Sequence, residues 1–251
     1  MIHEILDARI GVLCPDDSIN DDEFWACLPK EESSFKANFL FTRYRTPKRF
    51  DPISIQMVET YSDLDMLYDA AVTLSITHPS VVLLACNSAS FVKGVGNDQK
   101  IIEAMERGAK APATTISTAQ VEALKLIGFQ RVAIAGPYPQ AVTERLADFL
   151  KGNGFEVTAV ASAGMDTEWA IGNAEPRIWA DLARSVDSSG ADVILIAGSG
   201  TRTAPIIGPL NRELGKPVLS GPAVVTWHAL HLAGIQSYLP GLDQLAKKRE
   251  I

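Results

Sequence analysis

Apolar residues along this chain fall into two patterns: short unbroken runs, and longer stretches in which they recur every three or four positions. The clearest run is Val81-Val82-Leu83-Leu84-Ala85, which stops at Cys86 and passes into Asn87-Ser88-Ala89-Ser90. Five consecutive apolar residues with two valines are too short for a helix of their own and suit a strand buried on both faces, as in a parallel sheet. Arg9-Ile10-Gly11-Val12-Leu13-Cys14, broken by Pro15, reads as an earlier strand, and the loosely alternating stretch 35–45 as a second. Further strands are predicted at 112–116, 131–136, 155–160, 192–197 and 216–220. Met57, Leu64, Leu67, Ala71 and Leu74 share a helical face, predicting one amphipathic helix over 57–76, and similar spacing predicts helices at 118–127, 139–152, 174–189, 205–214 and 222–234. Strand, crossover helix and strand in alternation is the βαβ grammar of an α/β fold with parallel sheets.

The pattern repeats. Ala123-Leu124-Lys125-Leu126-Ile127-Gly128-Phe129 returns as Ala229-Leu230-His231-Leu232-Ala233-Gly234-Ile235, and each copy follows a Lys-Pro-containing strand. Val82-Leu83-Leu84-Ala85-Cys86-Asn87-Ser88 corresponds to Ile194-Leu195-Ile196-Ala197-Gly198-Ser199-Gly200, and Arg9-Ile10-Gly11-Val12 to Arg131-Val132-Ala133-Ile134. Three matches in one order predict two similar Rossmann-like α/β halves related by a pseudo-two-fold axis. The first half is expected to comprise residues 1–116 plus 222–251, the second 117–221. Ligands of open α/β sheets bind outside the carboxyl ends of the strands, so the site is expected in the cleft where Cys86 and the Gly198-Ser199 turn face each other.

Composition narrows the function. With 251 residues the chain is long enough to bury a core without staples, and its three cysteines include no C-x-x-C pair, which argues against a disulfide framework or a structural zinc site. A reducing cytoplasm is the expected home. Met1-Ile2-His3-Glu4 lacks the basic and apolar regions of a signal peptide, and no apolar run approaches the length of a membrane span. A net charge of −7, with no basic cluster beyond Lys247-Lys248-Arg249, makes nucleic acid an unexpected partner. That cluster suits a solvated helix end.

Cys86 is the candidate catalytic group: at the strand's end, backbone N–H groups and hydroxyls from Asn87, Ser88 and Ser90 would depress its pKa and favour an anion beside it. The competing reading is a buried, inert thiol. Gly198-Ser199-Gly200-Thr201-Arg202-Thr203 has threonine where a dinucleotide fingerprint needs glycine or alanine, and Gly94-Val95-Gly96 lacks the Lys-Ser/Thr of a P-loop, so no nucleotide cofactor is expected. His228 and His231 share a helix face but have no third ligand, which points to core packing and not to metal. Tyr138, just past the strand 131–136, reaches the crevice or packs on the rim against Pro139. Arg202 clamps a carboxylate or pairs with a surface acid. Cys14 and Cys27 read as structural.

Arg9-Ile10-Gly11-Val12, Ala85-Cys86-Asn87-Ser88, Thr114-Thr115-Ile116-Ser117-Thr118-Ala119, Gly136-Pro137-Tyr138 and Gly215-Lys216-Pro217-Val218 together resemble the aspartate/glutamate racemase superfamily, in the branch of maleate cis-trans isomerase and arylmalonate decarboxylase. The resemblance runs from about Arg9 to Ile235. It implies cofactor-free chemistry at carbon, a small carboxylate-bearing substrate and a homodimer. It also implies two cysteines facing the substrate from opposite halves. Cys86 takes the first one's place; the second falls on Gly198, which argues against a two-thiol racemase unless Ser199 substitutes, and a serine hydroxyl is a far weaker acid. The decarboxylase branch keeps its one cysteine in the opposite half, so this chain is its mirror case.

Two departures bear on the substrate. In Pro15-Asp16-Asp17-Ser18, Ser18 stands where the resemblance places a substrate-binding asparagine, with Asp17 beside it. A second such asparagine aligns with Glu168, either an ordinary helix N-terminal acid or a carboxylate in the site. In a site meant for a dianion that swap sets like charges together, about 4 kcal/mol at 4 Å and an effective dielectric of 20. Either Glu168 points away or the substrate is no simple dicarboxylate, in which case a ligand with an amine or amide at one end is expected. The expected substrate-binding set is thus Asp17, Ser18, Asn87, Ser88, Glu168, Gly198 and Gly200, with Cys86, Ser199 and Tyr138 catalytic. The leading expectation is an isomerase in which Cys86 adds to an activated double bond. The alternatives are a decarboxylase in which Ser88, Ser199 and Tyr138 stabilise an enediolate and Cys86 donates the proton, or a non-catalytic binder of small carboxylates.

Overall fold

A computed structural model describes residues 7–28, 35–48 and 51–237. Two four-stranded parallel sheets carry the chain. The first holds β1 (Ala8–Pro15), β2 (Ala37–Tyr44), β3 (Val81–Leu84) and β4 (Ala113–Thr115) in the order β2-β1-β3-β4. The second holds β5 (Arg131–Gly136), β6 (Glu156–Ser162), β7 (Val193–Ile196) and β8 (Val218–Ser220) in the order β6-β5-β7-β8. The orders are the same once the second is counted from β5, which is the architecture the internal repeat predicts. Every residue of β3 and of β7 is fully buried, as continuous apolar runs in parallel sheets require.

The correspondence extends to individual bonds. Ala85 N–H donates to Leu13 O at 2.7 Å, and Ala197 N–H to Ala135 O at 2.9 Å, so each central strand is pinned to its neighbour one residue before Cys86 and before Gly198 respectively. The last strand of each sheet turns into a helix through a hydroxyl cap. Thr115 caps α6 (Ile116–Ile127) by accepting from Thr118 N–H, and Ser220 caps α11 (Gly221–Leu232) by accepting from Ala223 N–H. Because α11 is apolar on nearly all sides, it is buried among β1, β3, β4, β8 and α6.

The helices correct the sequence reading in three places. The predicted helix 57–76 is two, α2 (Ile55–Thr60) and α3 (Leu64–Ser75), because Asp63 leaves the helical region and caps α3 with its carboxylate on Met66 N–H at 2.9 Å. The helix predicted at 174–189 is α9 (Pro176–Ser185), preceded by a separate α8 (Glu168–Asn173). Pro176 lacks the N–H that a continuous helix needs, and it holds Glu175 in an extended conformation. The segment after Gly94-Val95-Gly96, read only as a glycine turn, opens α5 (Asn97–Ala109), with Gly96 in the left-handed conformation at its N-cap. Near the predicted positions are α7 (Gln140–Gly152) and α10 (Ala204–Leu214), and short helices α1 (Asp21–Ala26) and α4 (Asn87–Phe91) complete the set. The basic cluster Lys247-Lys248-Arg249 lies outside the described residues. None of the described helices is long and apolar enough to cross a membrane.

In the second sheet, the turns that follow β7 and β8 pack closely. The Gly198 carbonyl packs directly on Gly221, so a Cβ at 221 would overlap that oxygen. Gly221→Ala is therefore expected to lower stability by about 1–3 kcal/mol, as overpacking does. Gly190→Ala, whose Cβ would meet only Ser188 Oγ at 3.7 Å, is expected to stay within about 0.5 kcal/mol of the parent. Urea unfolding of both variants checks this, and equal losses would refute the close approach.

Candidate active site

Several polar side chains in the site are delivered by the ends of strands. Cys86 follows β3 as the N-cap of α4, in extended conformation, and only 3% of it is exposed. Its sulfur takes the Ala89 backbone N–H and lies 3.7 Å from Ser88 Oγ. Asn87, fully buried, joins the halves. Its Oδ1 accepts the Gly198 N–H at 3.0 Å, while its Nδ2 donates to Ser117 Oγ at 3.0 Å and to Gln120 Oε1 at 3.4 Å. Ser90 and Ser117 hydroxyls lie 2.7 Å apart in the same network. Buried amides satisfied this fully hold a unique geometry, so the Gly198 turn is fixed opposite the Cys86 turn.

From the second half, Tyr138 brings its hydroxyl to the Ser88 hydroxyl and backbone N–H, and its ring packs edge-on against Phe91 with centroids 6.2 Å apart. It is buried, so it is not a rim aromatic packed on Pro139. From the first half, Tyr44 ends β2 at the same sheet edge, in register with Pro15. Its hydroxyl is buried beside the Cys86 sulfur, at a geometry short of a regular hydrogen bond, and has no other partner. Tyr61 donates to Asp17 Oδ2 at 2.8 Å.

Glu168 opens α8, where Thr167 caps the helix by accepting from Ala170 N–H at 3.1 Å. The residue keeps some exposure, but its carboxyl is turned inward: Oε2 lies within 3.6 Å of where a Cβ on Gly200 would sit. Burial first, and then Asp17, push this carboxyl up to about 8. It acts in turn on Cys86, Tyr61 and Tyr138. A cavity of about 500 Å³ opens here, lined by Asp17, Ile53, Met57, Thr167, Glu168 and Trp169 among others.

The expectation of a depressed thiol pKa is overturned. Burial, then Glu168, push Cys86 up to about 12, and the Ala89 N–H and Ser88 hydroxyl offset only part of this. The sequence reading weighed the local dipoles and named Glu168, but not the burial that outweighs the dipoles. Tyr138 is also raised, by burial ahead of Glu168 and Cys86.

Of the residues expected in the site, Cys86, Asn87, Ser88, Tyr138, Gly198, Gly200, Asp17 and Glu168 converge. Ser18 sits half-buried in a turn with its carbonyl on Arg43, and the residue of that segment reaching across is Asn20, which donates to the Gly200 carbonyl. Ser199 is half-buried, and no hydrogen bond ties its hydroxyl to the cluster. Arg202 is occupied elsewhere, bonding Asp22 at 2.7 Å, Asn20 Oδ1 at 3.1 Å and the Gly172 carbonyl at 3.1 Å. Gly198 is held at φ +100°, and a Cβ there would lie 3.0 Å from Pro137 Cγ and 3.1 Å from Thr201 Cγ2, so a side chain at this position would be strained and tightly packed. His228 and His231 stack with Trp227, and His228 Nδ1 lies 2.8 Å from Thr114 Oγ1. Cys14 and Cys27 are buried, with Cys14 pushed up to about 12 mainly by burial. Tyr44, Tyr61 and Asn20 were not foreseen; Tyr44 could have been, as the residue closing a strand at the same sheet edge as Cys86.

The sequence model of the arylmalonate decarboxylase family matches residues 53–246. The chain belongs to that family. It is 32% identical to arylmalonate decarboxylase of Bordetella bronchiseptica over 177 residues, 66% of this chain and 74% of that one. It is 27% identical to maleate isomerase of Alcaligenes faecalis over 248 residues, covering 94% and 95% of the two chains. Among solved structures it is similar to a cysteine-to-serine variant of the Nocardia farcinica maleate cis-trans isomerase with a covalently bound succinylcysteine intermediate. That match has a TM-score of 0.82 and 22% identity, over 93% of this chain and 96% of that one. This family member is an enzyme of the superfamily to which those isomerases and decarboxylases belong.

If Glu168 holds the Cys86 thiol up, removing its charge frees the thiolate only where Glu168 would be ionised. Glu168→Gln is expected to speed iodoacetamide labelling of Cys86 several-fold at about pH 9 and to leave it unchanged at about pH 6.5. Peptide mass spectrometry reads the rates site by site; equal rates at both pH values would show that Glu168 does not act on the sulfur.

Proposed function

We propose that this enzyme is a cofactor-independent cis–trans isomerase of the maleate isomerase type, working through Cys86 alone. The observation that carries this reading is a lone cysteine at the end of β3, with a second-half position, Gly198, that has no side chain and whose backbone conformation and close neighbours disfavour one. Proton transfer on both faces of a carbon needs two groups; addition and departure of one thiolate needs one. The covalent cysteine adduct in the Nocardia farcinica relative is the same chemistry.

The steps balance as follows. The Cys86 sulfur forms a bond to one alkene carbon as its proton passes to Glu168. The π pair moves onto the conjugated carboxyl, giving an enediolate that Ser88, Tyr138 and Tyr44 hydroxyls are placed to stabilise. With the double bond gone, the carbon–carbon bond rotates. The electron pair then returns, the C–S bond breaks, and the sulfur recovers its proton. Ser199, on the turn opposite, contributes its position and backbone, its hydroxyl being too weak an acid to replace a second thiol.

Cys86 and Glu168 titrate as a pair, and the reactive form holds one proton between them. With Glu168 held up to about 8, kcat/KM is expected to rise with pH and to level off above that value. Cys86→Ala is expected to lose at least about a thousandfold in kcat without a change in fold, as checked by circular dichroism and by following the loss of the cis substrate. Residual turnover within tenfold of the parent would remove the thiol from the reaction. Cytoplasmic location and a homodimer remain part of this proposal.

A further inference from the structure

The polar groups around the thiol divide by type. Three are donors: the buried Tyr44 hydroxyl, without a regular partner among the described residues, and the Ser88 and Tyr138 hydroxyls. Two are carboxyls: Asp17, whose Oδ2 takes the Tyr61 hydroxyl, and the inward-turned Glu168. Among the described residues no hydrogen bond and no cation reaches the Glu168 carboxyl, and the charged group that shifts it is Asp17, itself an acid. Both acids line the same cavity, and both act electrostatically on Cys86. A buried acceptor left this way is a group whose partner arrives with the ligand, because an unmet buried polar atom costs more than a met one gains.

We infer that the substrate of this site is a half-amide of a cis-unsaturated diacid, with the carboxylate on the Tyr44–Ser88 side and the amide N–H donating to Glu168. The inference rests on the isomerase reading for its reactive double bond, but the recognition itself does not. With Glu168 ionised, the state in which it can take the Cys86 proton, a dicarboxylate would present oxygen to oxygen there. An amide of the same length and shape presents N–H instead, and its carbonyl still activates the alkene. The apolar walls, Ile53 and Met57, suit a short chain without further charge.

The saturated analogues succinamate and succinate test recognition apart from reaction, since neither can add a thiolate. Calorimetry with the wild-type protein at about pH 9, where Glu168 is ionised, is expected to show succinamate binding at least about tenfold tighter, in keeping with sites that offer a buried acceptor to a donor. Glu168→Gln, which keeps the size and shape of the side chain and is therefore expected to fold, should erase that preference. Succinate binding as tightly as succinamate, or a preference that survives Glu168→Gln, would overturn the inference. Turnover of maleamate against maleate then reads the reaction: maleamate favoured about tenfold in kcat/KM agrees with the proposal. Maleate favoured would overturn it while leaving the isomerase standing. Tight succinamate binding without turnover of either alkene would instead count against the isomerase reading alone.

Discussion

One hydrogen bond across the seam between the two halves fixes the geometry on which the chemistry depends. Asn87 follows Cys86 directly, and its side-chain oxygen accepts the N–H of Gly198, the residue that corresponds to Cys86 in the second half. Because Ser117 and Gln120 hold the other end of the amide, Asn87 cannot turn away without leaving several buried groups unmet. A second set of ties keeps the turn in place from outside. Glu23 takes the N–H and hydroxyl of Thr203 and the N–H of Ala204, each at 2.7 Å, and Asn20 holds the Gly200 carbonyl and accepts from Arg202. The loop that would carry a second thiol is thus strapped to the first half, in a conformation that disfavours a side chain at Gly198.

That rigidity sets the electrostatics. The sulfur is dry, faces a carboxyl from the second half and keeps two donors, so its proton is held well above the ordinary thiol range. A thiol in this state is a poor free nucleophile and a good partner for a base close by. Glu168, itself raised by burial, lies in the same buried cluster. The two groups make one protonic unit, and the reactivity of Cys86 is a property of that pair more than of the helix turn behind it.

Much of this architecture is legible in the sequence because the signals are local. Val81–Leu84 and Val193–Ile196 announce buried parallel strands by composition alone, and the matched Ala-Leu helices reveal the duplication. The breaks within helices were less visible: apolar spacing runs straight through Ser62-Asp63, and only the capping geometry of Asp63 separates α2 from α3. Gly94 and Gly96 drew attention to a turn and away from α5, whose buried face of Ile101, Ala104 and Met105 is regular. In the site, Cys86, Asn87 and Ser88 follow from their place at a strand end. Asn20 and Tyr61 do not, since their nearness depends on contacts over long separations, whereas Tyr44 closes a strand at the same sheet edge. The direction of the Cys86 shift comes first from burial, which outweighs the local dipoles, and then from Glu168 across the pairing of the halves.

A crystal structure of the protein with a slowly released cis-enoic acid tests the central claim most directly. The account predicts unbroken density from Cys86 Sγ to a ligand carbon, with the ligand lying between the Cys86 turn and the Gly198–Gly200 turn and the Asn87 to Gly198 bond intact. A ligand bound away from an unmodified Cys86, or an adduct on Cys14 or Cys27, would contradict it.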